Sequence, residues 1–337
     1  MTQEKVCIIG AGNFGTALAY QLAKSCNQIT VFSIEQEVVD SINNKHINKK
    51  YLPTITLQPH IKATKSYEEA MQDAKYIIVS VPSHIIEIVL KEMHPHFKEG
   101  MIIVNTAKGL DEKRLCRMSE LISLNVPEYM KKEIVSMSGP SIANEMANDV
   151  PTAIAIASEN QNILEDARNL FSNDKFQVLI NHDLAGIEYG GFFKNVIAIA
   201  AGMCDGLNLG TNLKAAVVTR GFYEISKIAE KCGADPKTLT GLSGLGDLIV
   251  TSFSEHSRNR RFGEAIAKGK SFDEATKEIG QVVEGVRATK AAIELAKREN
   301  IELCLIKEIY NILYNNKDPK TALTHFFEEE NSHEFRD

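Results

Sequence analysis

At 337 residues the chain is long for one domain and suits two. With 44% hydrophobic and 24% charged residues it can bury a core, which excludes widespread disorder. A net charge of -6 provides no field to draw the chain to polyanions, which argues against a nucleic-acid or membrane-surface binder. An anionic small substrate stays open, since it needs only a few local cations.

The chain opens with MTQEKVCIIGAG, which enters a strand at once and shows no basic-then-apolar leader. No apolar run is long enough to span a bilayer, so a cytoplasmic location is expected. Seven β-branched runs read as buried strands: VCIIG (6–10), QITVF (28–32), YIIVSV (76–81), MIIVN (101–105), EIVSMSG (133–139), TAIAIAS (152–158) and FQVLI (176–180). They show little in–out alternation, as expected where both faces of a sheet are covered. Helix candidates lie between them, such as 13–24 and 66–73, the second opening with Ser66 three residues before Glu69 in a capping-box pattern. Strands alternating with helices imply a mainly parallel sheet built from right-handed crossovers.

Beyond about residue 185 the strands stop. Segments 186–203, 212–232, 257–268, 283–299 and 302–314 show helical periodicity, with Gly233, Gly241 and Gly269 at the joins. The expected plan is an α/β domain over 1–186, an all-α domain over 187–330 and a charged tail over 331–337. The six cysteines (Cys7, Cys26, Cys116, Cys204, Cys232, Cys304) are scattered, mostly in apolar stretches and without C-x-x-C spacing. They are expected to be buried thiols in a reducing compartment, with no metal site.

Gly10-x-Gly12-x-x-Gly15 lies between the first strand and first helix. There Gly10 permits a tight turn, Gly12 lets a pyrophosphate approach the backbone, and Gly15 lets helix and strand pack closely. The helix N-terminus meanwhile presents free N–H groups to phosphate. The competing reading is a glycine turn in another α/β fold. Glu35 follows Gly15 by 20 residues, where a carboxylate can accept from ribose hydroxyls and repel a 2′-phosphate. VFSIEQE contains no Arg or Lys to neutralise such a phosphate, so NAD(H) is expected over NADP(H). Alternatively, Glu35 only starts the next helix.

Several other segments pair small residues with isolated polar groups. Asn105-Thr106-Ala107-Lys108-Gly109 puts an ammonium at the carboxyl edge of the sheet, and Ser138-Gly139-Pro140-Ser141 offers N–H groups and a hydroxyl to an anion. Lys194 follows Gly190-Gly191-Phe192-Phe193 in an apolar helix, where a lysine either snorkels to the surface or is held in a cleft. Desolvation in a cleft lowers the pKa of a lysine and suits it to proton exchange. Asp247 sits among small and apolar residues, with Thr251 four residues later on the same helical face. Ser257-Arg258-Asn259-Arg260-Arg261 supplies donors and positive charge, and an Arg fork suits phosphate. Taken singly each motif reads as structural, and for Arg260 and Arg261 a solvated basic run is the preferred reading.

Together the motifs resemble the bacterial-type NAD(P)-dependent glycerol-3-phosphate dehydrogenases almost end to end. The matching stretches are GAGNFGTALA (10–19), NKKYLP (48–53), VPSHII (81–86), AKGL (107–110), SGPSIANEMA (138–147), KNVIAIAAG (194–202), AAVVTRG (215–221), GLSGLGDLIVTSFSEHSRNRRFG (241–263) and GQVVEGVRATKAA (280–292). The resemblance implies a Rossmann-like first domain and reversible reduction of dihydroxyacetone phosphate to sn-glycerol 3-phosphate for phospholipid synthesis. It implies Lys194 as the proton donor and acceptor, with Asp247 holding the lysine and the substrate hydroxyls. Lys108 would touch substrate and cofactor, Gly139, Ser141 and Thr251 the substrate, and Ala143 the cofactor. Ser257, Arg258 and Asn259 would bind the substrate, with Arg258 also near the cofactor, while Asn13, Phe14, Val282 and Glu284 close over the cofactor. Monomer and homodimer are both compatible with it.

This chain departs from the family pattern at Phe14, where many relatives have Trp or Tyr, and at Phe192-Phe193, where smaller residues are usual. At Glu35 many members place a basic residue, which puts NADP use in doubt. The rival readings are a two-domain dehydrogenase of a hydroxy acid or sugar acid, which would recognise a carboxylate, and a non-catalytic NAD(H)-sensing regulator. The second would need a DNA-binding segment or partner surface, and no helix-turn-helix is evident.

Overall fold

The computed structural model describes residues 4–329. The chain divides into two compact units, Met1–Asp111 with Cys116–Glu188, and Glu112–Leu115 with Tyr189–Asp337. The tail expected over 331–337 lies outside the described residues.

The first unit contains strands β1 (Lys5–Ile9), β2 (Ile29–Phe32), β3 (Ile47–Asn48), β4 (Leu52–Thr56), β5 (Ile61–Thr64), β6 (Ala74–Val79), β7 (Ile102–Asn105), β8 (Leu110–Asp111), β9 (Cys116–Arg117), β10 (Ile134–Ser138), β11 (Thr152–Ser158) and β12 (Phe176–Ile180). Eight of them form one sheet in the order β12-β11-β10-β7-β6-β1-β2-β5. Every neighbouring pair is parallel except β10 and β11, so β11 and β12 run against the other six. The short pairs β3–β4 and β8–β9 stand apart as antiparallel hairpins.

Successive side chains on a strand point to opposite faces, and here both faces are apolar. Val6, Ile8, Ile78 and Val104 pack on one face with Leu18 and Leu22. Cys7, Ile9, Ile77, Val79 and Ile103 pack on the other with Leu90 and Met93. Each such fully buried Val or Ile contributes about 1.5–3 kcal/mol of transfer free energy. The edges differ: β5 and β12 alternate buried and exposed residues, because helices cover only one of their faces. The reading of uniformly buried strands therefore fails at FQVLI, and the strand IKAT (61–64) falls outside it altogether.

Helices of this unit are α1 (Asn13–Leu22), α2 (Gln36–Lys45), α3 (Tyr67–Met71), α4 (Ile86–Met93), α5 (Met118–Asn125), α6 (Ala143–Ala147) and α7 (Leu164–Phe171). α3 is shorter than the expected 66–73, and its capping box is half made. Ser66 Oγ accepts from Glu69 N at 3.2 Å, but the Glu69 carboxylate takes the Thr64 hydroxyl instead of closing back on Ser66 N.

The second unit is helical: α8 (Leu184–Gly206) leads into it, followed by α9 (Gly210–Lys231), α10 (Pro236–Leu239), α11 (Asp247–Phe253), α12 (Arg258–Ala267), α13 (Phe272–Ile279), α14 (Glu284–Glu299), α15 (Cys304–Asn315) and α16 (Pro319–Glu329). From Val196 to Ala201 α8 is fully buried, as a helix apolar all round must be. Its contact with α12 depends on two glycines. A Cβ on Gly202 would lie 1.8 Å from Arg260 O, and one on Gly263 would lie 2.0 Å from Ile199 O. Phe192 and Phe193, the bulky pair before Lys194, are both buried with ring centroids 4.9 Å apart, and Phe193 stacks on Tyr189 at 5.6 Å.

The cysteines correct one expectation. Cys7, Cys26 and Cys204 are buried thiols, whereas Cys116, Cys232 and Cys304 are half-buried at the ends of elements. Among the described residues no helix is long and apolar enough to cross a membrane.

Candidate active site

The first unit gathers its polar groups where four adjacent parallel strands end. β1, β6, β7 and β10 are neighbours, and their carboxyl ends carry Gly10, Ser80, the 105–108 turn and the 138–141 turn. Open α/β sheets bind ligands at this edge. Gly10 has φ +116°, and a Cβ there would lie 2.3 Å from Ser80 O. A Cβ on Gly15 would lie 2.1 Å from Gly10 O, so no other residue allows α1 to start so close to β1. At Gly12, by contrast, a Cβ would meet nothing within 4 Å, and no side chain caps α1. The first-turn N–H groups of a helix lack intrahelical acceptors, so the open space over Gly12 and this helix end fit a dinucleotide pyrophosphate.

Around this loop Asn13 Nδ2 donates to Tyr51 O at 2.7 Å, while Phe14 is half-buried against the core. Glu35 occupies the N-cap position of α2. Its carboxylate accepts from Tyr51 Oη at 2.5 Å and pairs with Lys50 Nζ. Both contacts hold it ionised, below the ordinary glutamate range, the lysine bond being the larger cause. The absence of a cation in VFSIEQE therefore does not describe the folded site, because the turn after β3 returns one from a different segment.

At the next two strand ends Lys108 Nζ donates to Gly139 O at 2.9 Å, and Ser141 Oγ donates to the same oxygen at 2.9 Å. Gly139 has φ +148°, and a Cβ there would lie 2.9 Å from Ile154 Cα, so the turn is specific for glycine. Ala143 starts α6 two residues after Ser141, half-buried beside the core.

In the second unit Lys194 is 6% exposed, and its ammonium donates to Asp247 Oδ1 and to Thr251 Oγ1, each at 2.7 Å. Asp247 and Thr251 are 1% and 9% exposed. Asp247 opens α11 after a π-helical turn at Leu242–Gly246, so its carboxylate lies in the first turn, where the helix dipole favours negative charge. Single-turn π segments recur at functional sites because they re-aim a side chain.

Four more residues of this unit surround the start of α12. Ser257 caps the helix, accepting from Arg260 N at 3.2 Å. Arg258 is exposed and reaches Gln281 Oε1 at 3.3 Å and Val282 O at 3.1 Å, the segment just before Glu284 opens α14. Asn259 is buried and acts as a tie: Nδ2 donates to Asn195 Oδ1 at 2.8 Å, and Oδ1 accepts from Gly285 N at 2.9 Å. Arg260 Nε pairs with Asp205 at 2.6 Å, and Lys214 joins that carboxylate at 2.8 Å, so Arg260 is a packed ion pair and not part of a solvated run. Among the described residues no group of three or more His, Cys, Asp or Glu is placed to hold a metal ion.

The family model described as the NAD-dependent glycerol-3-phosphate dehydrogenase N-terminus matches residues 5–164, and the corresponding C-terminus model matches 183–324. The chain belongs to that family. It is similar to the glycerol-3-phosphate dehydrogenase [NAD(P)+] of Clostridium tetani, with 43% identity over 95% of this chain and 91% of the relative. The Bacillus subtilis protein of the same description is 40% identical, covering 99% and 97% of the two chains. The crystal structure of glycerol-3-phosphate dehydrogenase from Coxiella burnetii superposes with a TM-score of 0.91 at 35% identity, covering 97% and 99%. The chain is thus an NAD(P)-dependent oxidoreductase with a Rossmann-like parallel-sheet region followed by a helical one.

Three residues of this family member gained no role from sequence reasoning. Asn195 stands out only as the neighbour of Lys194, and its partner Asn259 lies 64 residues on. Lys50 and Tyr51 fall within NKKYLP, a quoted motif with no periodicity of its own. Their return to Glu35 depends on a two-residue strand too short to leave a pattern.

Proposed function

We propose that the buried Lys194–Asp247–Thr251 cluster is the proton-handling centre of a glycerol-3-phosphate dehydrogenase. The reaction is the reversible reduction of dihydroxyacetone phosphate to sn-glycerol 3-phosphate, supplying phospholipid synthesis. The observation that carries this is the Lys194 ammonium, almost fully buried yet held by two oxygens at 2.7 Å. A buried ammonium is costly unless it is paired and hydrogen-bonded, and here a carboxylate and a hydroxyl hold it. It is held where it can donate to a developing alkoxide.

When bound, the nicotinamide cofactor supplies the hydride that reaches the substrate carbonyl carbon. Lys194 gives its proton to the C2 oxygen as charge grows there, and takes it back in the reverse direction. Asp247 and Thr251 fix the ammonium and accept from substrate hydroxyls. The Arg258 fork, with Ser257 and Asn259, grips the phosphate, so that remote binding energy orients the carbonyl. Gly10, Gly12, Asn13, Phe14 and Gly15 hold the dinucleotide with Glu35 on its ribose, which favours NAD(H). Lys108, Gly139, Ser141 and Ala143, and Val282 with Glu284, are the further substrate and cofactor contacts. These roles divide the chain into a nucleotide domain over 1–186 and a catalytic domain over 187–330.

The deciding experiment follows NADH oxidation by the purified chain with dihydroxyacetone phosphate and with 2-keto acids. Turnover of the triose phosphate alone is expected. Reduction of a 2-keto acid without triose phosphate turnover would overturn the reading. The location is proposed as cytoplasmic, and sedimentation separates the monomer and homodimer that the resemblance allows.

A further inference from the structure

Lys50 is delivered to Glu35 by a turn that is itself fixed to the glycine loop. Asn48, fully buried, donates to Ala11 O at 2.8 Å and to Thr16 Oγ1 at 2.9 Å, and Asn13 holds Tyr51 O from the other side. The side chain beyond this anchored backbone is not fixed in the same way. Lys50 is 47% exposed, pairs with Glu35 and with Glu37 at 3.1 Å, and stands 5.5 Å from the Tyr51 ring centroid. It is a four-carbon arm with three donors, paired with the half-buried Glu35 and the exposed Glu37.

Two carboxylates and one ammonium leave this corner with one net negative charge. A ribose 2′-hydroxyl can donate to Glu35 without disturbing it. A 2′-phosphate, carrying about 1.5–2 negative charges, is repelled by both glutamates unless a cation turns towards it. Lys50 is the cation already in contact with both. Swinging from Glu37 to the phosphate would cost an exposed ion pair of small worth and gain a charge-assisted bond to a phosphate.

We propose that Lys50 sets cofactor selectivity, offsetting the repulsion of Glu35 and Glu37 so that NADP(H) remains usable beside NAD(H). This rests on the reading of the glycine loop and Glu35 as the cofactor site. It assigns selectivity to a residue 15 positions away from the acidic one, on a separate hairpin.

The test compares kcat/KM for NADPH and NADH in the wild type, Lys50→Met and Lys50→Arg. Calorimetric titration with adenosine 2′,5′-bisphosphate and with adenosine 5′-monophosphate gives a readout free of turnover. Lys50→Met is expected to lower the NADPH:NADH ratio about tenfold or more, the loss of one charged hydrogen bond. The bisphosphate should weaken relative to the monophosphate by a similar factor, and Lys50→Arg should retain both ratios. Ratios cancel any loss of folded protein. An unchanged ratio in a Lys50→Met protein that still binds NADH overturns the role of Lys50 and leaves the cofactor site standing. A wild type that binds neither dinucleotide overturns the site reading, and the Lys50 proposal with it.

Discussion

Asn195 and Asn259 are joined directly, with Asn259 Nδ2 donating to Asn195 Oδ1 at 2.8 Å. Each is the chain neighbour of a charged group, Lys194 on α8 and Arg258 on α12. One buried amide pair therefore couples the helix bearing Lys194, the proposed proton donor, to the helix bearing Arg258, the proposed phosphate fork. The second Asn259 contact, from Gly285 N, brings the start of α14 into the same tie. Asn259→Ala would leave a buried N–H and a buried carbonyl without partners, at about 1–3 kcal/mol of stability. Urea unfolding should show that loss, together with a raised KM for dihydroxyacetone phosphate. Gly285→Ala tests the packing side of the same joint. Its Cβ would lie 2.4 Å from Asn195 O, and an overpacking cost of about 1–3 kcal/mol is expected in the same assay.

Lys194→Ala removes the proposed proton donor while leaving the glycine loop untouched. Turnover should fall at least about 100-fold, the lower end of general acid–base contributions. Fluorescence titration should find the NADH affinity nearly unaltered. Near-normal turnover would eliminate Lys194 from the proton step.

Arg258→Ala should act on substrate affinity. Loss of a charged hydrogen bond of about 1.5–3 kcal/mol corresponds to a rise in KM of roughly 10- to 100-fold. Initial-rate kinetics with varied dihydroxyacetone phosphate measure it, and an unchanged KM would remove Arg258 from the phosphate site.

Glu35 provides a pH-dependent signature. Hydrogen bonds from Lys50 and Tyr51 depress its folded pKa below the ordinary 4.5. A depressed carboxyl stabilises the fold above the unfolded value and loses that contribution as pH falls through the folded one. The wild type should therefore exceed Glu35→Gln in urea midpoint near neutrality, and the gap should close only in acid below 4.5. A gap independent of pH would show that the carboxylate charge is not what the cluster uses.

Much of this fold was legible because its signals are local. The central strands are β-branched runs, the glycine fingerprint lies at a strand–helix join, and Asp247 and Thr251 share a face by helical spacing. What was hidden depends on distant partners. IKAT at β5 is a short alternating edge strand, unlike the buried runs that advertise the sheet. Lys50 reaches Glu35, and Asn259 reaches Asn195, only after the chain has folded. In each case tertiary contact outcompeted the local pattern.

α15 shows the same rule in its sharpest form, and it yields a stability prediction. Leu303 precedes the helix and offers no side-chain cap. The N–H groups of Cys304, Leu305 and Ile306 are instead taken by the Glu224 carboxylate, at 2.8, 2.6 and 3.1 Å. Glu224 lies on α9, some 80 residues earlier, and is 6% exposed. A buried carboxylate is costly unless it is hydrogen-bonded, and here three backbone donors and the positive end of a helix dipole satisfy it. Glu224→Ala would orphan those donors together and leave a void, so a loss of at least about 2–3 kcal/mol is expected. Glu224→Gln keeps one acceptor oxygen but sets an amide N–H against helix N–H groups, so it should recover only part. Chemical denaturation of the three proteins measures this order. The contacts of Glu224 to the start of α15 serve the fold, so kcat per folded molecule should hold in both variants, and equal stability of all three would show that α15 does not need its distant cap.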